Sequence, residues 1–291
     1  MDDVTVLSRP PRLGPMYRAA ALRRHVGSSL PARTLRLDGV SVVRAHLAAY
    51  DRVCGFRLGD TLPATYPHVL AFPLAMALMT APDFPFPLLG LVHVANRIHL
   101  DRPLTSADAF SLSVHAEELR PHERGTRLDV VATASVSGTV VWTGRSTYLR
   151  VTRPREKSGG RETFEFSPTA VWRVPRRIGG DYADVSGDRN PIHTSRILAR
   201  AFGFRSTIAH GMWTQARCLA ALEGRLPEAY TVTAAFKLPI LLPATVGFAA
   251  SAGDGKGWRI AVHDRRTGKP HLAGQIVDHG CADPDEGARA D

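Results

Sequence analysis

The chain has 291 residues, 44% of them hydrophobic, and carries a formal net charge of +10. This length and composition predict a globular protein of about two domains and exclude a disordered chain. Its three cysteines, Cys54, Cys218 and Cys281, are too scattered for a disulfide framework or a zinc site, and no stretch resembles a secretion signal or a membrane span, so we expect a cytoplasmic protein.

The positive charge is spread along the chain as single arginines and arginine pairs. Because no basic helix or aromatic-interleaved basic strand is evident, we expect no nucleic-acid partner. A basic surface also suits an anionic small molecule or an acidic carrier protein that approaches a pocket. A solvated arginine-rich surface without any partner is the simpler alternative, and charge alone leaves both open.

In chain order, residues 1–35 form an N-terminal extension, whose first 30 residues are rich in arginine and proline and lack periodicity. We expect these residues to wrap the surface or to fray. Residues 36–152 then carry one apolar run of helical length, a strand ending near a proline, and three alternating runs typical of an antiparallel meander. The predicted helix covers 66–79, and the predicted strands cover 92–104, 109–120, 126–137 and 138–151.

A charged segment with a Ser-Gly-Gly centre, residues 153–163, is the predicted linker. After it, residues 164–281 repeat the same order, with a helix over 207–222, a strand and turn over 230–243, and further strands; residues 282–291 form a tail. Such self-similarity indicates a duplicated unit in which an antiparallel sheet wraps one long helix.

Three polar side chains are concentrated in the stretch "SGDRNPIHTS", which contains Asp188, Asn190 and His193. An imidazole and a carboxylate that grip one water molecule can act as acid and base for the addition or removal of water. Asp188 and Asn190 could instead be turn and capping residues of the following helix, and His193 a structural histidine.

The segment "SGDRNPIH" and the later "HGM" at 210–212 resemble the two motifs of the MaoC-like (R)-specific enoyl-thioester hydratase and dehydratase family. The resemblance implies an α+β double-hotdog fold. It also implies reversible hydration of trans-2-enoyl thioesters, carried by coenzyme A or acyl carrier protein, to (R)-3-hydroxyacyl thioesters. It implies no metal or other cofactor, and a chain that is a monomeric pseudo-dimer of hotdogs or a homodimer.

By this resemblance, Asp188 and His193 hold the catalytic water, and which of them takes the first proton stays open because the pair can titrate as a unit. Asn190 could orient that water or Asp188. Gly211 offers a backbone N–H at a helix start, where developing negative charge on a thioester oxygen is stabilised. Metal binding by Asp188, His193 and His210 is possible on ligand type, but the family works without metal, and His210 receives no catalytic role.

Four further residues are candidates for the substrate pocket. Met212, Trp213 and Phe204 could line it, although such residues are more often core. Lys237 could meet a phosphate of coenzyme A, or it could be an ordinary exposed strand lysine.

The first half lacks the motif residues. At an offset of 138 residues, different side chains stand opposite them: Phe72-Pro73 opposite His210-Gly211, and Tyr50 and Gly55 opposite Asp188 and His193. Because proline has no N–H, the oxyanion donor is missing as well. We therefore expect one active site per chain, with the first half as the wall of the acyl pocket.

Two other functions stay open at this point. A hotdog thioesterase would cleave the same thioester with a carboxylate-activated water. A non-catalytic acyl-thioester-binding subunit would complement a partner hotdog protein.

Overall fold

The computed structural model describes residues 3–22, 29–88, 90–153, 167–253 and 257–279. The predicted linker, apart from its first residue, and the predicted tail lie outside these ranges. The first half contains β1 (Asp3–Leu7), α1 (Leu13–Leu22), β2 (Arg33–Val40), α2 (Arg44–Cys54), α3 (Tyr66–Met79), β3 (Leu91–Leu100), β4 (Phe110–His122), β5 (Gly125–Val136) and β6 (Thr139–Val151).

The second half begins with β7 (Ala170–Val174), α4 (Ile178–Ser186), α5 (Pro191–Thr194), α6 (Arg196–Ala201) and α7 (Gly211–Ala221). It ends with the strands β8 (Tyr230–Phe236), β9 (Ala244–Ala252), β10 (Trp258–Asp264) and β11 (Pro270–Asp278). No helix in the described part of the chain is long and apolar enough to cross a membrane.

All strands belong to one sheet with the order β1-β2-β4-β5-β6-β3-β8-β11-β10-β9-β7. Read from the two outer ends towards the centre, β2-β4-β5-β6-β3 and β7-β9-β10-β11-β8 have the same internal order. The two units meet where β3 pairs antiparallel with β8. This arrangement confirms the expected α+β double hotdog, whereas the domain boundaries themselves stay a prediction.

Hydrophobic patterning explains why these segments form a wrapped sheet. In β4, Phe110, Leu112 and Val114 are buried, and the intervening serines are only partly covered. This alternation places one face of the strand against a core, as the two-residue period of a strand requires. The helix α3 is apolar on all sides and packs inside the sheet against β4 and β5, so nearly all of its side chains are buried.

The N-terminal extension differs from the expectation. Residues Asp3–Leu7 form a strand that pairs in parallel with Arg33–Leu37 of β2, and a helix follows from Leu13. β1 is exposed along most of its length, so the described part of the extension does lie on the surface, but as a paired strand and a helix rather than as chain without secondary structure. The sequence shows no strong periodicity here because both elements are short and obtain their order from the sheet edge and the domain beneath them.

The helix α7 begins at Gly211, four residues later than expected. Residues 207–210 are extended instead, since Ala209 N–H donates to the Ile240 carbonyl at 3.0 Å and Leu242 N–H donates to the Thr207 carbonyl at 2.8 Å. This pairing places His210 at the N-cap and makes the backbone N–H of Gly211 one of the first of the helix.

The constant offset of 138 residues between the halves was also wrong at the helices. Pro73 lies in the middle of α3, not at its start. Gly55 ends α2 in a left-handed conformation, with φ of 83°, just as Gly187 ends α4 with φ of 76°. The structural counterpart of Gly187 is thus Gly55, and the residue in the position of Asp188 is Phe56. The acid/base pair is still missing from the first half, but at different positions from those expected.

Candidate active site

A cavity of about 350 Å³ lies between the two halves, a size typical of small-molecule sites. The first half contributes one part of its wall, chiefly from α3, β3 and β6, whereas its role as the wall of an acyl pocket stays a prediction. The polar residues of the "SGDRNPIH" segment and the start of α7 lie on the other part. The principal lining residues are Tyr17, His68, Phe72, Met76, His93, Tyr148, Asp188, Asn190, His193, Phe204, His210, Gly211, Met212, Phe236 and Lys237.

Asp188 follows the left-handed turn that ends α4, and that turn directs its carboxylate into the cavity. About 31% of the side chain is accessible to water, although it lies deep in the molecule. Its Oδ1 accepts a hydrogen bond from the Asn190 backbone N–H at 3.1 Å, and its own N–H donates to Ser186 Oγ at 3.1 Å. The carboxylate is therefore fixed by the turn that contains it.

Opposing effects act on the pKa of Asp188. Burial by itself raises it, because a charged carboxylate loses hydration. The neighbouring imidazoles of His210 and His193 act in the opposite direction, and so do the hydrogen bonds from Asn190 and Tyr17. The pKa of Asp188 consequently lies below its usual value, and the group is a carboxylate at neutral pH.

His193 lies in the single turn of α5 and is 9% exposed. Its Nδ1 lies 2.8 Å from the carbonyl oxygen of Ile208, which can only accept, so Nδ1 carries the proton and donates. Nε2 therefore has the free lone pair. Burial lowers the pKa of His193, against smaller raising effects of Asp188 and the Ile208 carbonyl, so the imidazole is neutral and can accept a proton.

His210 completes this cluster. Its ring stacks on that of His193 with centroids 3.6 Å apart, and its Nε2 donates to the Asp188 carbonyl at 2.9 Å. One nitrogen from each histidine and one oxygen of Asp188 all lie within 4.8 Å of one another. Two hydrogen bonds of about 2.8 Å from one water molecule can span a distance of this size.

Asn190 acts mainly through its backbone. Its side-chain Oδ1 caps α5 by accepting from the Ile192 N–H at 3.3 Å, which is the capping alternative considered from the sequence. The backbone N–H of the same residue donates to the Asp188 carboxylate. The amide of Asn190 is thus engaged in the helix cap, and any role in orienting the water or Asp188 stays a prediction.

Gly211 is the first residue of α7 and lines the cavity. Its N–H belongs to the first four of the helix, which have no carbonyl partner within the helix and which lie at the positive end of its dipole. A Cβ at this position would approach the ring of Phe236 to 3.1 Å, so glycine accommodates the close contact between α7 and this ring. The position suits a donor to a developing oxyanion.

Comparisons with known proteins agree with this geometry. A MaoC-like domain model matches residues 178–275, the segment that contains both motifs. The 3-hydroxyacyl-thioester dehydratase X of Mycobacterium tuberculosis is 39% identical over 279 residues, covering 93% of this chain and 99% of the relative. The chain belongs to the MaoC-like dehydratase family.

Solved structures agree with this assignment. The crystal structure of HtdX from Mycobacterium tuberculosis is 40% identical, covers 84% of this chain and 99% of its own, and superposes with a TM-score of 0.76. A MaoC-like dehydratase from Phytophthora capsici, at 16% identity, covers 88% of this chain and 96% of its own with a TM-score of 0.68, which shows a shared fold. The family resemblance drawn from the two motifs is thereby confirmed.

Three of the four expected lining residues of this MaoC-like chain lie at the cavity. Met212 and Phe204 are in its wall, and Lys237 is exposed beside it at the end of β8. Trp213 is not among the described lining residues; it is buried, which fits the core alternative considered from the sequence. Its indole Nε1 instead donates to the Val53 carbonyl of the first half at 3.0 Å, because adjacent residues of a helix face different directions.

No motif or periodicity pointed to Tyr17, His68, His93 or Tyr148, all of which line the cavity. His93 stacks on Tyr148 with centroids 4.8 Å apart, and burial lowers the pKa of His68 to about 4 and that of His93 to about 3. These neutral polar side chains come from the first half and its extension. The only sequence feature that could have identified them is that they are single polar residues among apolar ones. Such residues are also common in ordinary protein cores.

Proposed function

We propose that this MaoC-like chain reversibly adds water to the double bond of trans-2-enoyl thioesters to form (R)-3-hydroxyacyl thioesters. One observation carries the proposal: a neutral imidazole, His193, and an ionised carboxylate, Asp188, point at one space in a cavity that the N–H of Gly211 also borders. This combination supplies a base, a proton carrier and an oxyanion donor for one reaction.

In the hydration direction, the water bound between Asp188 and His193 attacks C3 of the enoyl group. A C3–O bond forms, the C2=C3 π bond breaks, and its electron pair moves towards the thioester oxygen. The water loses one proton to the Asp188–His193 pair, and C2 gains one proton from that pair. The protonation state of the pair is therefore restored after each turnover.

The developing charge on the thioester oxygen is stabilised by the N–H of Gly211. A donor at the start of α7 is fixed before the reaction, so little reorganisation is needed as charge develops. Removal of one donor of this kind costs on the order of 10²- to 10³-fold in kcat in enzymes with an oxyanion hole.

The direction of the reaction follows its equilibrium and the supply of substrate, so the same site can act as a hydratase or as a dehydratase. The name of the M. tuberculosis relative, 3-hydroxyacyl-thioester dehydratase X, specifies the dehydrating direction for that protein. The (R) configuration is proposed from the family resemblance.

The thioester is carried by coenzyme A or by acyl carrier protein, and the exposed Lys237 beside the cavity suits the phosphate groups of either carrier. We also propose a cytoplasmic location, since Cys54 and Cys218 are free thiols buried in the core. A monomer is proposed first, because the fused halves already pair β3 with β8 at their junction; a homodimer is the alternative.

The test is hydration of crotonyl-CoA and of a longer trans-2-enoyl-CoA by the purified chain, followed as loss of the enoyl-thioester absorbance. Asp188→Asn and His193→Gln are expected to lower kcat by about 10²- to 10⁴-fold, the range for loss of an acid or base. Asp51→Asn, which changes a buried carboxyl outside the cavity, is the matched control. Free coenzyme A as the product, or equal rates in all variants, contradicts the proposal.

A further inference from the structure

The helix α1 of the N-terminal extension lies against the candidate active site. The strand β1 attaches the extension to the sheet by pairing with β2, and α1 follows after five intervening residues. From this helix, Tyr17 reaches the cavity, 171 residues away in sequence from Asp188. An element outside the two hotdog units thus contributes a polar side chain to the site.

The hydroxyl of Tyr17 contacts three consecutive residues of the "SGDR" turn. It lies 3.3 Å from Asp188 Oδ1 and 3.1 Å from the Gly187 carbonyl, and both of these oxygens can accept its proton. Its own oxygen accepts a hydrogen bond from the Arg189 N–H at 2.8 Å. The phenol therefore has both donor and acceptor functions engaged by the turn that carries the carboxylate.

The packing beneath this hydroxyl is equally specific. A Cβ at Gly187 would come within 2.5 Å of Leu13 Cδ1, one helical turn from Tyr17 on the same face of α1. Gly187 also has a φ of 76°, a conformation that glycine adopts without strain. Close contact with α1 and the left-handed turn thus both require glycine at this position.

We infer that Tyr17 is a positioning residue of the active site, which holds the Asp188 carboxylate in the orientation that receives the substrate water. The N-terminal extension then completes the catalytic centre of the second half. The inference rests on the proposed function, because it assigns Tyr17 an effect through Asp188.

Two protein donors reach Oδ1 of Asp188: the Asn190 N–H, and the Tyr17 hydroxyl, whose single proton is shared between Oδ1 and the Gly187 carbonyl. Without the Tyr17 hydroxyl, only the Asn190 N–H donates to Oδ1 of Asp188. The carboxylate is then less firmly oriented, and its charged form is less stabilised. The pKa of Asp188 should therefore rise, because hydrogen bonds to the charged form lower the pKa of a carboxyl and one of them is removed.

Other titratable or charged groups also surround Asp188 and stay in place when only the Tyr17 hydroxyl is removed. From the neighbouring elements these are His68 of α3, His93 of β3, Tyr148 of β6, Tyr182 of α4, His193 of α5, His210 before α7, and Arg189, which pairs with Asp184.

The experiment compares the full-length wild type with Tyr17→Phe, and uses Tyr230→Phe, a buried tyrosine at the start of β8, as the matched control. With crotonyl-CoA, Tyr17→Phe is expected to lower kcat about tenfold and to leave KM within about threefold, since a hydrogen bond to a charged group is lost. Tyr230→Phe is expected to match the wild type.

A second readout separates positioning from simple support of the fold. The chain is labelled with ¹³C at aspartate carboxyls, and the Asp188 signal is assigned by its absence in Asp188→Asn. Its pKa is expected to rise by about half a unit to one unit in Tyr17→Phe. A merely structural role would lower thermal stability without changing this titration.

The outcomes distinguish the two proposals. If Asp188→Asn is inactive and Tyr17→Phe keeps the wild-type kcat, or loses activity with an unchanged Asp188 titration, the inference about Tyr17 is wrong and the proposed function stands. If Asp188→Asn itself retains full activity, the proposed function fails first.

Discussion

Each half of the molecule has an aspartate near the end of the corresponding helix, and the environments of the two carboxyls differ sharply. Asp188, just after α4, receives hydrogen bonds and lies beside two imidazoles, so its pKa is held below the usual value. Asp51, in α2, is 1% exposed, and no protein atom in the described ranges hydrogen bonds to either of its oxygens. Burial and the nearby Glu223 raise the pKa of Asp51 to about 7.

The comparison teaches that the hotdog scaffold alone does not make an acid/base site. Both halves supply a helix that ends in a left-handed glycine, yet Gly187 is followed by Asp188 and Gly55 by Phe56. The partners that keep Asp188 charged come from α5, from the segment before α7 and from the N-terminal extension. In the described residues this set of partners surrounds the turn of the second half, which is where we propose the single acid/base site.

The largest expected effect comes from the two glycines. Gly187→Ala should lower kcat by about 100-fold, because a Cβ strikes Leu13 and displaces the neighbouring carboxylate. Gly55→Ala has the same unfavourable φ and meets Arg217, so it should reduce stability by about 1 kcal/mol without changing kcat. Urea unfolding and turnover of crotonyl-CoA measure both effects. Equal activity in the two variants would contradict the claim that the glycine turn matters for catalysis in the second half and not in the first.

The second effect concerns Asp51. Its folded pKa of about 7 exceeds the unfolded value, so the contribution to stability is full below about pH 4 and is lost as the pH rises through 7. Asp51→Asn removes this loss, and we expect its gain in stability over the wild type to be about 2 to 3 kcal/mol larger at pH 8 than at pH 5. Urea midpoints at the two pH values measure it; a variant that is less stable at pH 8 contradicts the account.

The third effect is the acid limb of kcat/KM. His193 must be neutral to take a proton, and burial lowers its pKa below the usual value of about 6.5. Activity should stay constant down to that pH and then fall about tenfold for each further unit, with a midpoint below 6.5. Rates between pH 5 and 8 measure the limb, and a midpoint above 7 would show that the imidazole is charged in the resting site.

The smallest effect is expected at the cavity mouth. Lys237→Ala should raise KM for an enoyl-CoA about fivefold and leave kcat unchanged, because an exposed cation that meets a phosphate contributes modestly. Lys269→Ala, an exposed lysine of the β10–β11 turn, is the matched control. A short thioester without phosphate groups should show no difference between the two variants, and a lowered kcat in Lys237→Ala would place this residue in the chemistry instead.

Much of the fold was predictable because its signals are local. The helix over 66–79 has the predicted bounds, and strands form in both halves close to the predicted segments. Asp188, His193 and Gly211 were also predictable, because two short motifs at a specific separation identify them. These residues lie on turns and at helix starts, and the geometry of such local structures depends on a few adjacent residues.

The remaining features depend on contacts between distant parts of the chain. Tyr17 meets the turn at 187–189, and no local pattern marks that partner. His93 and Tyr148 stand opposite each other only because β3 pairs with β6. The constant offset failed at the helices because α5 and α6 lengthen the second half between its two main helices. Strand pairing, the effect of the inserted helices and the lining of the cavity all depend on tertiary contacts, which a local sequence pattern does not show.

The most direct test of the central claim is to run the reaction in ¹⁸O-labelled water with a trans-2-enoyl-CoA and to analyse the product by mass spectrometry. We predict one ¹⁸O on C3 of an (R)-3-hydroxyacyl-CoA, an intact thioester, and loss of this product in Asp188→Asn but not in Asp51→Asn. Label in a free carboxylate with release of coenzyme A would contradict the account, because the water would then have attacked the thioester carbonyl.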